Sequence, residues 1–321
     1  MVVNPDWTLY GSRRVACQLR AGTEARPYPD PIKWRACLLL LLLVAACSAP
    51  QITVPKPTRT CVVLSVGEFY GIAHAGALAE LKRRGVAIDC VVGNSMGAII
   101  GGLYASDPQA DPVARTRALL HAYVAESERE FDDNKLTNLA KEAIKRTLDI
   151  DLGAFRKLDH ARFVRVYDRF VRAVTIEGLP VPFATFHQHK DGGGLQLVEV
   201  RHGPLAFAVG SSAANPFLFD DVDVKVAERL DPGADRLSMV PVGDACRLFP
   251  GARLIAVNVS GEPVARPAGM ACPVVEIGVP RRAINREEAA TGGAEFEALV
   301  NDGRAAVRGA DIELTGPVRA N

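Results

Sequence analysis

The chain has 321 residues, 48% of them hydrophobic and 23% charged, a balance that excludes disordered, collagen-like or coiled-coil organisation for most of its length. Its 38 basic side chains against 37 acidic ones leave a net charge of +1, without the basic surplus of a dedicated nucleic-acid binder. No nucleic-acid partner is therefore expected, and the length allows one large α/β domain or two small ones.

Residues 36–46 form an unbroken apolar run of 11, with six leucines from Leu38 to Leu43. A bilayer-spanning helix needs about 20 such residues, whereas 11 suit the core of a secretory signal, and Lys33 and Arg35 supply its positive flank. The run closes on Val44-Ala45-Ala46-Cys47 and resembles a bacterial lipobox, a small-residue triplet before a cysteine. That resemblance implies a signal peptide over 1–46, lipidation of Cys47 by palmitate-type acyl chains, and attachment to the bacterial cell envelope. Several acyl chains anchor a protein without help from a polybasic patch. Ser48 stands where an aspartate often retains lipoproteins at the inner membrane, so the expected address is the outer membrane, facing the periplasm. Residues 1–36 carry Pro27, Pro29 and Pro31 with no helical period, unlike a short charged leader, so the true start is expected between Arg26 and Lys33. From Cys47 onward the chain holds 32 basic and 34 acidic residues, a net charge of −2.

Residues 47–59 contain Pro55 and Pro57 and read as an extended tether. Residues 60–321 read as the folded domain. Cys61-Val62-Val63-Leu64-Ser65, bounded by Gly67, is a buried strand of the parallel kind. Ile72, Ala75, Leu78, Ala79 and Leu81 then recur at helical spacing, and Gly85 ends that helix as a left-handed cap. Val86–Val92 reads as a second buried strand and Ser95–Tyr104 as a helix rich in small residues, which makes a right-handed βαβ unit. Residues 107–175 are charged and helical, a long insertion with Gly153 as its one glycine. Val181–Gln188 and Leu195–Val200 read as strands joined at Asp191-Gly192-Gly193-Gly194. Arg253–Val259 and Val274–Ile277 complete the strands, and Glu295–Arg308 is a final helix. Cys61, Cys90, Cys246 and Cys272 permit disulfides in three connectivities. Four buried thiols are the favoured expectation, because Cys61 and Cys90 each begin a strand-like run.

Gly93-Asn94-Ser95-Met96-Gly97 matches G-x-S-x-G, placed after an expected strand and opening an expected helix. Glycines two before and two after Ser95 allow a sharp turn that lifts its hydroxyl above the sheet, over a helix N-terminus that favours negative charge. A Ser–His–Asp triad of the α/β-hydrolase order does not fit, since all six histidines lie at or before His202.

The segment Leu64–Leu78, with Gly67 and His74-Ala75-Gly76-Ala77-Leu78, resembles the oxyanion loop and following helix of patatin-like phospholipases. The elbow follows at the family's distance, 26 positions from Gly67 to Gly93. Gly203–Phe219 resembles the family's G-P-L-x-x-A-x-x-A-S-x-x-x-P-x-x-F segment, and Pro241–Ser260 the strand that closes its core. The likeness spans residues 60–259 plus the terminal helix. It implies a three-layer α/β/α patatin-like fold with a mainly parallel central sheet. It also implies a serine acyl hydrolase, of phospholipase or lysophospholipase type, working by a Ser–Asp dyad on fatty-acyl esters of membrane lipids. Ser95 is then the nucleophile. Asp231, in Asp231-Pro232-Gly233 and 15 residues after Pro216, is the dyad aspartate. Asp191 heads the intact D-G-G, but at a hairpin turn before the P-x-x-F segment. The backbone of Gly67 and Glu68 forms the oxyanion hole, with Gly93 and Gly97 shaping the elbow. His74 is expected outside the dyad, and Asp220, Asp221 and Asp223 at the surface. His187 and His189 share one side of a strand and read as a polar sheet face. No metal site and no cofactor pattern is present, neither P-loop, Rossmann nor zinc.

Val66 and Glu68 replace two glycines of the family loop, Tyr70 its basic residue, and Pro232 a glycine after the aspartate. These departures support a second reading, a non-catalytic lipid-anchored protein that keeps the fold as a binding or scaffold module. The two readings differ in whether Ser95 is activated.

Overall fold

The computed structural model describes residues 59–133, 159–172, 174–191, 194–216, 219, 229–233, 236 and 238–312. The expected signal segment over residues 1–46, Cys47 and the expected tether to residue 58 lie outside these residues, as do residues 134–158 of the insertion, Gly192 and Gly193, and Asp220, Asp221 and Asp223. Six strands form one sheet: β1 (Thr60–Leu64), β2 (Cys90–Gly93), β3 (Phe183–Asp191), β4 (Gly194–Val200), β5 (Arg253–Asn258) and β6 (Val274–Gly278), in the order β4-β3-β2-β1-β5-β6. Every neighbouring pair is parallel except β3–β4, the hairpin, where Asp191 pairs with Gly194. β1 lies at the centre and is buried along its whole length, as a strand covered on both faces must be.

Alternate residues of β1 enter opposite cores. Val62 and Leu64 pack among Leu78, Ile100, Phe296 and Val300. Cys61 and Val63 pack with Val242 and Ala245. The first core is roofed by α1 (Ile72–Arg83), α2 (Met96–Ser106) and the terminal α8 (Ala294–Gly309); the second by α6 (Val242–Leu248). This is a three-layer α/β/α arrangement. α8 lies hard against α1 because both carry glycine at the crossing. A methyl at Gly76 would overlap the Val300 carbonyl, and one at Gly303 the Ala73 carbonyl.

The second strand is shorter than its apolar run suggests. Val86 donates its N–H to Leu81 O and Gly85 donates to Lys82 O, a Schellman closure with Gly85 left-handed at φ 73°. That closure takes up Val86, and β2 begins at Cys90. The insertion supplies α3 (Pro112–Asp133) and α4 (His160–Val171), which pack on each other and on the α1–α2 layer. Their inner faces bury Leu119, Tyr123, Phe163 and Tyr167, so the charge of this stretch marks only the outer faces. The remaining helices are α5 (Leu205–Ser212) and the short α7 (Arg286–Ala290).

The cysteines correct the expectation of four thiols: Cys61 is bonded to Cys90 and Cys246 to Cys272. The reason for the first is register, since parallel pairing of β1 with β2 sets Cys61 directly opposite Cys90. No helix among the described residues is long and apolar enough to cross a membrane.

Candidate active site

Ser95 stands between β2 and α2 with φ 56° and ψ −124°, a region that L-residues other than glycine enter only under constraint. The flanking glycines show why the turn needs them. A Cβ on Gly93 would overlap the Gly97 carbonyl, and one on Gly97 would lie 2.5 Å from Leu64 O and 2.6 Å from Ser65 O. Asn94 braces the turn from both sides. Its Oδ1 accepts from Phe186 N–H at 3.2 Å, and its Nδ2 donates to the carbonyl and hydroxyl oxygens of Ser238, each at 3.1 Å. The N–H of Ser95 donates to Ser212 Oγ at 3.0 Å, which ties the elbow to the end of α5.

The Ser95 hydroxyl donates to the carboxylate of Asp231. Asp231 is 1% exposed and follows Leu230, which pairs with Gln188 of β3. Its N–H donates to Ala214 O at 3.1 Å. Its Oδ1 accepts from Gly233 N–H at 2.7 Å, and Asn215 donates to the same carboxylate. The donor that Pro232 lacks is thus supplied one residue later, in an Asx-type turn. Burial pushes the Asp231 acid up to about 6, partly offset by the bonds from Ser95 and Gly233; the charge of Glu68 pushes it further up. Asp191 lies at the hairpin end of β3, paired with Gly194, and takes no part in this cluster.

The loop leading from β1 is held at both ends. Ser65 donates its N–H to Val257 O at 3.2 Å, its Oγ donates to Val66 O, and that Oγ accepts from Val259 N–H. His74 Nε2 donates to Ser65 O at 2.9 Å; burial pushes this imidazole down to about 4, so it is neutral at pH 7 and acts as a brace. Gly67 has no room for a side chain, since a Cβ there would overlap Val259. Glu68 follows at φ 49°. Its carboxylate lies 3.2 Å from Arg286 Nη2, and its side chain borders the same cavity as Ser95.

That cavity, about 60 Å³, runs from Ser95 and Glu68 between α1, α2 and the insertion helices. Ile72, Ile99, Leu119, Tyr123, Phe163 and Phe219 form its walls. Its surface is almost wholly hydrocarbon, suited to an alkyl chain and to little else. Ser212, Asn215 and Arg286 carried no signal of their own in the primary structure, although the first two fall within the Gly203–Phe219 segment. His187 is buried among sheet residues, and among the described residues no cluster of three or more His, Cys, Asp or Glu side chains could hold a metal ion.

Comparison with known proteins gives three kinds of match. The family model for patatin-like phospholipases matches residues 62–245. An uncharacterised NTE family protein of Mycobacterium bovis is 30% identical over 185 residues, 57% of this chain and 45% of that protein. A lysophospholipase of Emericella nidulans is 46% identical over 52 residues, 16% of this chain and 3% of that protein. The chain therefore spans less than half the length of these curated relatives. Among solved structures, the type III effector ExoU is similar over 79% of this chain and 53% of its own, at 16% identity and a TM-score of 0.39.

Proposed function

Because the chain belongs to the patatin-like phospholipase family, we propose that it is a serine hydrolase of lipid acyl esters, with Ser95 as nucleophile and Asp231 as general base. The observation that carries this reading is the hydrogen bond from a strained, elbow-mounted serine to a buried carboxylate at the mouth of an apolar cavity.

The acyl chain enters the cavity and its carbonyl carbon comes to rest over Ser95. Asp231 takes the hydroxyl proton as Oγ attacks. A base near 6 is mostly ionised at neutral pH yet still able to hold a proton in passing. The negative charge developing on the carbonyl oxygen meets backbone N–H groups of the loop at Gly67 and Glu68, preset by the Ser65 bonds. One such preorganised donor is worth roughly 3 kcal/mol in the transition state. Asp231 returns its proton to the departing alkoxide, then activates the water that cleaves the acyl-enzyme. No cofactor takes part in these steps.

The substrate class on this reading is a phospholipid, a lysophospholipid or another fatty-acyl ester of a membrane. The lipobox-like Cys47 would hold the enzyme at that surface, in the bacterial envelope and on the periplasmic face of the outer membrane. The scaffold reading is weakened by the same geometry: Gly233 replaces the donor lost at Pro232, and Arg286 pairs with the carboxylate of Glu68.

The test is labelling with a fluorescent fluorophosphonate. Wild type is expected to label, with a rate that rises with pH through about 6 as Asp231 ionises. Ser95→Ala should not label, and Asp231→Asn should label at least ~100-fold more slowly. A folded wild type that fails to label would sink the hydrolase reading in favour of the scaffold.

A further inference from the structure

The loop at Gly67 carries a carboxylate where charge development is negative. Glu68 sits at φ 49° as the first residue of a 3-10 turn, Glu68–Gly71, and its backbone belongs to the donors proposed for the oxyanion. Its side chain is neither buried in the core nor free in water. Glu68 and Ser95 line the same cavity, and the Glu68 carboxylate meets Arg286 of α7 at 3.2 Å. An unscreened anion here would oppose the oxyanion through a low-dielectric space, where unit charges a few ångströms apart interact strongly.

Arg286 lies 218 residues further along the chain and is brought to the loop by the β6–α7–α8 segment. Two neighbouring arginines are engaged elsewhere. Arg281 stacks on the Tyr70 ring at 4.1 Å and donates to Ser260 O at 2.8 Å. Arg282 pairs with Glu295 at 2.6 Å and Asp302 at 3.4 Å, while its carbonyl accepts from Tyr70 Oη. Arg286 is the arginine that reaches Glu68.

We propose that Arg286 is a positioning residue for the acyl-transfer step, holding the Glu68 carboxylate aside and screening its charge from the oxyanion and from Asp231. The inference rests on the hydrolase reading above and deepens it. The family's glycine at this position needs no counter-ion; a glutamate does, and α7 supplies it.

The experiment measures kcat and KM on a p-nitrophenyl acyl ester for wild type, Arg286→Ala, Arg286→Lys and the double variant Arg286→Ala with Glu68→Gln. Arg286→Ala should lower kcat by roughly 10- to 100-fold with little change in KM, the range expected for one uncompensated charge at a partly screened site. Arg286→Lys should recover most of kcat, because it keeps the charge. The double variant should recover it as well, because the charge that needed screening is gone. Thermal unfolding of each variant separates loss of chemistry from loss of fold; Arg286 is half exposed, so its replacement leaves no buried gap. An unchanged kcat in Arg286→Ala would overturn the proposal, and so would a loss that neither Lys nor the second substitution repairs. An unlabelled wild type in the fluorophosphonate assay would instead remove the hydrolase reading, and this inference with it.

Discussion

On the proposed mechanism the buried Asp231 sets function against stability, and the conflict can be measured. In the unfolded chain its acid titrates near 3.8, whereas burial raises it to about 6 in the fold. The folded state therefore binds this proton more tightly than the unfolded state does. The stability linked to the group is fully present below pH 3.8 and is lost as pH rises through 6. A gap of about two pKa units corresponds to ~3 kcal/mol, the penalty carried by the ionised side chain at pH 8. Asp231→Asn keeps the shape and an acceptor for Gly233 N–H, and its amide can donate to Ser95 Oγ, much as the protonated acid would. The shift is already net of the charge-assisted bonds, so the variant should be about 3 kcal/mol more stable than wild type at pH 8. For a domain of this size that is a rise of roughly 6–12 °C in Tm. The advantage should shrink as pH falls below 6, be small at pH 4, and vanish below 3.8 as wild type becomes protonated in both states. Thermal unfolding of both proteins at pH 4, 6 and 8 reads this directly, with every other titrating group common to the two. A variant no more stable at pH 8, or a Tm gap that is the same at all three pH values, would refute the assignment of Asp231 as a strained, desolvated base.

Ser95→Gly should also inactivate the protein while stabilising it by about 1 kcal/mol, because glycine adopts φ 56° and ψ −124° without the strain a side chain brings; equal or lower denaturation midpoints in urea would contradict this. Leu120 lines the cavity from α3 and is only half buried, so Leu120→Trp should fill the space without unfolding the domain. It should lower kcat/KM about tenfold or more for long acyl esters and far less for acetyl esters, and equal losses for both would mean the chain binds elsewhere.

Much of the fold was legible from local pattern. Cys61–Ser65 is apolar and β-branched at five residues' length, and only a strand covered on both faces suits it. The helix from Ile72 and its cap at Gly85 follow from period and from one left-handed glycine. The elbow was legible because glycines at 93 and 97 leave a serine little choice of turn. Boundaries were less so. Val86 looked like strand, yet its N–H was claimed by the helix before it, a competition visible only once Leu81 and Val86 are close in space.

The site is where tertiary structure decided most. Sequence by itself marked Ser95 as the candidate nucleophile, with its turn, and Asp231 as its candidate partner, because each sits in a short contiguous motif. It could not determine that Ser212 would take the Ser95 N–H or that Arg286 would meet Glu68. Those partners lie 117 residues from Ser95 and 218 from Glu68 along the chain, and hydrogen bonds and ion pairs across such spans leave no local spacing to read. The disulfides make the same point. The cysteines were countable from the start, but whether Cys61 faces Cys90 depends on the register of two parallel strands, and register is set by packing of the whole sheet. The apolar cavity depends on it too: its walls come from α1, α2 and the insertion helices, and such a hollow exists only after those faces have met.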